Sequence, residues 1–168
     1  GYNSASGHQV FYDTISHESA TITKPFTGMN GLNLRWLGPG SPEQQSILDF
    51  AAAAQTEWIR EDFRWDLIEP APGQWDYSRT DSFVSEIKVR NMEVLGILTH
   101  KHTANGSLHP MDDMDRWLQF VENIVDRYKD EVTCWEVWNE PDLAEFWHRT
   151  PSATEFGTLL FETAKRIR

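Results

Sequence analysis

The residues best placed to do chemistry lie in the string Trp135-Glu136-Val137-Trp138-Asn139-Glu140-Pro141. Trp135, Val137 and Trp138 favour extended structure, and Pro141 cannot continue a ladder. The string reads as a short buried strand that delivers Glu140 to the rim of a sheet. Glu140 sits next to an amide side chain, with tryptophan on either side. A carboxyl group held among indole rings suits sugar chemistry, because it offers a proton beside apolar faces on which a pyranose can stack.

A second cluster is His100-Lys101-His102, with His109 and Asp112 nearby. Alternating histidines past a strand can bind zinc. A third strand-borne ligand is not evident, and His109 precedes Pro110 in a loop. The competing readings are a polar loop lining a pocket and plain solvated imidazoles. Trp147 reads either as a sugar-stacking platform or as packing under the loop. Trp65 and Trp75 share a short stretch with Glu69-Pro70 and Gly73, where packing is expected. Nothing in the sequence calls for a cofactor.

Four β/α repeats are available to position these residues. Gly31 to Trp36 reads as a strand, broken by Gly38-Pro39-Gly40. Ser41-Pro42-Glu43-Gln44 is a helix start, with a serine N-cap, proline in the first turn and Gln44 placed for a capping box. Ile47, Leu48, Ala51 and Ala52 follow on one helical face. Trp58 to Phe63 is a second strand. Phe83, Val84 and Ile87 mark the next helix, with Asn91 as a left-handed stop. Met92 to Thr99 is a third strand, apolar enough to be covered on both faces. Trp117, Phe120, Val121, Ile124, Val125 and Tyr128 predict an amphipathic helix near Met111 to Lys129. The acidic Asp112, Asp113 and Asp115 fall in its first turn, which suits the helix dipole. Thr133 to Asn139 is the fourth strand, and Ser152-Ala153-Thr154-Glu155 caps a last helix through Ile167. Residues 1–27 are polar and weakly periodic, with a short strand conceivable at His8 to Tyr12. They read as an N-terminal extension to a unit spanning 28–168.

Composition narrows the classes. The 168 residues include 8 Trp, and aromatics make up 12%, which argues for a folded globule. A net charge of -11 disfavours nucleic acid and anionic membrane as partners. Cys134, the single cysteine, lies in an apolar strand and reads as an inert core thiol. No apolar run approaches the roughly 18 residues that span a bilayer. No signal peptide is visible at Gly1. Removal of one from a precursor would hide it, so the compartment stays open, with secretion or the periplasm slightly preferred to the cytoplasm.

Alternating strands and helices predict a parallel sheet, either open and doubly wound or part of a barrel. Gly38-Pro39-Gly40 lacks the glycine spacing of a phosphate loop, which weakens the nucleotide-binding form. A complete eightfold barrel needs about 250 residues. The expected fold is therefore α/β, a partial (β/α)8 barrel of about four β/α units. Such a sheet has two raw edges, so self-association or a second chain completing the barrel is expected.

Three segments resemble the clan A glycoside hydrolases, most closely family 39, the β-xylosidase and α-L-iduronidase kind. Trp138-Asn139-Glu140-Pro141-Asp142-Leu143, with Phe146-Trp147, is similar to the clan's acid/base segment. Ile59-Arg60 through Phe63, with Trp65, Ile68-Glu69-Pro70, Gly73 and Trp75-Asp76-Tyr77, resembles the segment after the second strand. Val94 to Leu98 resembles the third strand. The resemblance implies Glu140 as general acid/base and Asn139 as hydrogen-bond partner of the sugar 2-hydroxyl. It implies Arg60 as holder of the nucleophilic carboxylate and, more loosely, His100 and His102 as lining of the sugar site. The substrate implied is an oligosaccharide or polysaccharide. The family's nucleophile is a glutamate on a seventh strand, for which the match supplies no residue. A non-catalytic carbohydrate-binding or assembly unit is the alternative, and a metal-dependent hydrolase using the histidines is a more remote one.

Retaining glycosidases hold two carboxyl groups about 5 to 5.5 Å apart. Strand alternation puts Glu136, Trp138 and Glu140 on one face and Asn139 on the other, unless the pleat breaks at the strand's end. Arg60 and Asp62 are expected on the matching face of the second strand, where Arg60 can pair with Glu136 or with the nucleophile.

Overall fold

The computed structural model describes residues 31–33, 41–100 and 108–167. Strand β1 (Gly31–Asn33) is followed by α1 (Pro42–Ala53), β2 (Trp58–Arg64), the short α2 (Trp65–Ile68) and α3 (Ser78–Lys88). Then come β3 (Glu93–Thr99), α4 (Met114–Arg127), β4 (Cys134–Val137), the short α5 (Ala144–Trp147) and α6 (Ala153–Ile167). The four strands form one parallel sheet in the order β1-β2-β3-β4. Parallel strands in sequential order without reversal are the pattern in which the crossover helices lie on one face of the sheet. That is the layout of part of a (β/α)8 barrel and not of a doubly wound sheet, where the order reverses.

Register divides the strand residues between two faces. Ile59 pairs with Val94, Phe63 with Leu98, Leu98 with Val137 and Gly96 with Trp135. These side chains join the apolar core under the helices, with Leu48, Ile87, Trp117, Phe120, Val121, Ile124 and Leu159. On the opposite face Arg60 pairs with Leu95 and Leu95 with Cys134, while Asp62 pairs with Ile97 and Ile97 with Glu136. Arg60, Asp62 and Arg64 stay half-buried there, so the residues of β2 alternate strictly. Ile97 is fully buried but stands apart from the helix-side core.

Local chemistry explains the element ends. Ser41 Oγ accepts from Gln44 N at 3.2 Å, and Pro42 opens α1. Asp113 caps α4 by accepting from Arg116 N, while Asp112 stays outside the helix. Ser152 Oγ accepts from Glu155 N ahead of α6. Asn91 is left-handed at φ 58°, as its type suggests. Trp117 Nε1 donates to Thr163 Oγ1 at 2.8 Å and ties α4 to α6. Gly96 is required by packing, since a Cβ there would lie 2.5 Å from Trp135 Cζ3 and 2.9 Å from Phe63 Cε2.

Two differences from the sequence reading stand out. The fourth strand ends at Val137 and not at Asn139, for a reason given below. The short helices α2 and α5 have too few residues to show a period. Cys134 is half-buried on the face away from the helices, and burial raises its thiol pKa. The rest of the first strand, the glycine-proline break after it, residues 1–27 and His102 lie outside the described residues. Among the described residues no helix is long and apolar enough to cross a membrane.

Candidate active site

Arg60 is the hub. Its Nε donates to Glu136 Oε2 at 2.8 Å and its Nη2 to Glu136 Oε1 at 2.7 Å, a two-pronged pair between β2 and β4. Nη2 also donates to Asn139 Oδ1 at 2.9 Å. From β1, Asn33 accepts from Arg60 Nη1 at 3.2 Å once its amide is oriented to suit the network. One guanidinium thus gathers β1, β4 and the segment beyond β4. Of the two partners open to it in the sequence, it is Glu136 that Arg60 takes.

The segment after β4 departs from strand alternation. Trp138 is left-handed at φ 66°, and Glu140 is left-handed at φ 47°. Such a backbone at a bulky residue costs about 1–3 kcal/mol and persists only where packing over-determines it. Here Trp138 turns to the helix side and is almost wholly buried, with its Nε1 donating to the Phe146 carbonyl. The turn ends the strand two residues early. It also corrects the expected parity: Asn139 joins Glu136 on the Arg60 side, and Trp138 leaves it. The pleat break that the sequence left open is what occurs.

Glu140 is exposed, and its Oε2 lies 3.4 Å from Asn139 Nδ2. Because Asn139 Oδ1 is taken by Arg60, the amide presents Nδ2 to whatever lies at Glu140. His100, left-handed at φ 68° past β3, places Nε2 3.7 Å from Asp62 Oδ2, and its ring is 5.8 Å from that of His148. So three left-handed residues, His100, Trp138 and Glu140, cluster just past the C-terminal ends of β3 and β4.

Trp147 needs a correction as a substrate-binding residue. It is fully buried, packed edge-on against Trp138 at 5.3 Å and Phe156 at 6.2 Å. Of its two sequence readings, packing under the loop is the observed one. In the segment that follows Glu140 the exposed apolar side chains are instead Leu143 and Phe146. Phe146 was visible in the sequence, but nothing local tells which of Phe146 and Trp147 faces water. A shallow hollow lined by Pro42, Glu43, Ser46 and Ile47 includes none of the site residues. Among the described residues, no group of three histidine, cysteine, aspartate or glutamate side chains is arranged to hold a metal ion.

Beneath the site runs an aromatic column: Trp65, Trp117, Trp138 and Trp147, with successive rings 5.5, 5.9 and 5.3 Å apart. His109 is wedged into it, 4.5 Å from the Trp147 ring and 5.4 Å from Trp138. Burial pushes its pKa down to about 4, with Arg149 and His148 acting the same way against Asp112 and the Trp147 backbone. Two acids on neighbouring elements shift oppositely. Burial, reinforced by Asp62, raises Glu61 to about 8, and its Oε2 has no hydrogen-bond partner. Glu69 is also buried, but hydrogen bonds from Gly73 N, Trp65 Nε1 and Arg116 outweigh burial and lower its pKa.

No family model matches the sequence. Solved structures are similar to it. A family 39 glycoside hydrolase from the gut symbiont Bacteroides cellulosilyticus WH2 aligns with TM-score 0.62 and 19% identity, over 82% of this chain and 29% of its own. A family 39 enzyme from Xanthomonas axonopodis pv. citri aligns with TM-score 0.60 and 19% identity, over 82% of this chain and 31% of its own. A glucosidase from Croceicoccus marinus aligns with TM-score 0.61 and 20% identity, over 83% and 34%. The chain therefore spans about a third of the length of these proteins. At such identity the likeness shows the fold: the chain has the architecture of part of a (β/α)8 barrel, as these glycoside hydrolases do. The group is the one that the sequence segments resemble.

Proposed function

We propose that residues 28–168 are the N-terminal part of a retaining glycoside hydrolase acting on O-glycosidic bonds of an oligosaccharide or polysaccharide, preceded by an extension over 1–27. The observation that carries the reading is the chain of hydrogen bonds from Glu136 through Arg60 to Asn139, with Glu140 beside it. It fixes an amide donor and a carboxyl group together at the C-terminal rim of a parallel sheet, where barrel enzymes keep their chemistry.

In this reading Glu140 gives its proton to the leaving oxygen as the bond from that oxygen to the anomeric carbon breaks. A nucleophilic carboxylate, carried by a strand outside the described residues, bonds to the anomeric carbon. Glu140 then takes a proton from the water that displaces that carboxylate. Asn139 Nδ2 donates to the sugar hydroxyl next to the reacting carbon. Arg60 holds Asn139 and Glu136 in register. His100, just past β3, lines the sugar, and the resemblance assigns His102 the same role. The open edges of β1 and β4 are covered by further strands, from the same polypeptide or a second copy.

Turnover of aryl glycosides is the test. Glu140→Gln is expected to lower kcat/KM by about 10²–10⁴, most for poor leaving groups, which depend most on the proton. Equal loss across leaving groups, or none, would count against the assignment. A second reading, sugar binding without turnover, is favoured by the commitment of Glu136 to Arg60 and by the exposed Leu143 and Phe146 in the segment after Glu140. Binding that is weakened by Phe146→Ala and unaffected by Glu140→Gln would support it.

A further inference from the structure

His109 has no part in the chemistry just described, yet it sits almost wholly buried beneath it. Its Nδ1 accepts from Met111 N at 3.1 Å, which places the ring proton on Nε2. Nε2 makes no well-formed hydrogen bond, the Trp147 carbonyl being the backbone group that favours its proton. The imidazole instead presses on Trp147 and Trp138, the residue whose left-handed backbone turns Asn139 toward Arg60. A second tie joins the same two segments. Asp112 accepts from His109 N at 3.0 Å and from Arg149 Nη2 at 2.7 Å.

We propose that His109 is a positioning residue for Asn139 and Glu140: as a wedge it keeps Trp138 turned to the helix side and so sets the two residues that follow. The role rests on the reading of Glu140 as acid/base, and it acts through packing, without touching substrate. A proton on His109 would place a cation among Trp138 and Trp147, next to Arg149 and His148, with Asp112 as the nearby anion and Glu155 engaged 3.7 Å from Arg149. Two like charges against one buried wedge would loosen the turn. Acid therefore acts on the site from below, through the packing under Trp138.

Nuclear magnetic resonance on the full chain tests this, in a Glu140→Gln background that removes that carboxyl's own titration. Between pH 7 and 3.5 the indole N–H signals of Trp138 and Trp147 and the amide of Asn139 are expected to move together, at the pH where the His109 ring titrates. In His109→Phe the common movement should vanish. In His109→Ala at pH 7, amide exchange over 138–148 should rise at least about 10-fold while β2 and α4 keep their protection. If the alanine variant does not fold, the parent's titration decides alone. An Asn139 amide that ignores His109, or moves identically in the phenylalanine variant, overturns the proposal. Aryl glycoside turnover that is the same in the chain carrying Glu140 and in Glu140→Gln, with the coupling intact, would fault the reading of Glu140 and leave the wedge standing.

Discussion

Arg60 and Asn139, 79 residues apart in sequence, meet through a 2.9 Å hydrogen bond from Nη2 to Oδ1. The contact exists because Trp138 leaves the strand face and lets Asn139 take its place. The same guanidinium holds Glu136 with two bonds, so the amide and the carboxylate share one anchor.

Removing that anchor should be felt twice. Arg60→Met leaves Glu136 half-buried without its cation, and we expect a loss of about 1.5–3 kcal/mol, read by urea unfolding. Arg60→Met combined with Glu136→Met should recover much of it, because no charge is then stranded. Sugar binding should stay impaired in the double variant, since Asn139 remains untethered. A double variant no more stable than the single one would contradict the pairing.

Glu61 makes stability fall with rising pH. Its folded pKa, about 8, lies above the ordinary 4.5. The folded state therefore binds more protons between those values, and the advantage present below about 4.5 is lost as pH rises through about 8. Glu61→Gln should raise Tm at pH 9 and change it little at pH 5, with an effect on the order of a few kcal/mol at the alkaline end. A pH-independent difference in Tm would exclude this account.

Glu69 works the other way. Its pKa is lowered in the fold, so its contribution is complete above the ordinary 4.5 and is lost as pH falls through the folded value. Glu69→Gln should cost about 1.5–3 kcal/mol at pH 7 and progressively less in acid. Thermal melts of both proteins from pH 7 to 3 give the comparison.

Gly96→Ala should destabilise by about 1–3 kcal/mol through overpacking against Trp135 and Phe63. Trp135→Leu in the same chain should relieve it, since the clash is with the indole. Additive losses in the double variant would place the strain elsewhere.

The order of elements was legible because it is written in local patterns. Ser41, Asp113 and Ser152 cap helices by side chains three residues away from the groups they bind. Val94 to Leu98 and the α4 stripe each declare a period. The acid/base candidate was legible too, as a carboxylate between a strand and a proline. What stayed hidden depends on partners far off in the chain. The turn at Trp138 is set by Trp117, His109 and Trp147, and alternation alone put Asn139 on the wrong side. Trp147 and Phe146 are adjacent and both aromatic, so only the packed fold decides which one meets solvent.

The face of the sheet away from the helices carries Arg60, Asp62, Arg64 and Glu136, while most of the apolar side chains are already spent against the helices. Anything that closes over that face meets ions more than oil. Its docking would weaken as salt is added and hold up on cooling, the reverse of a greasy seam.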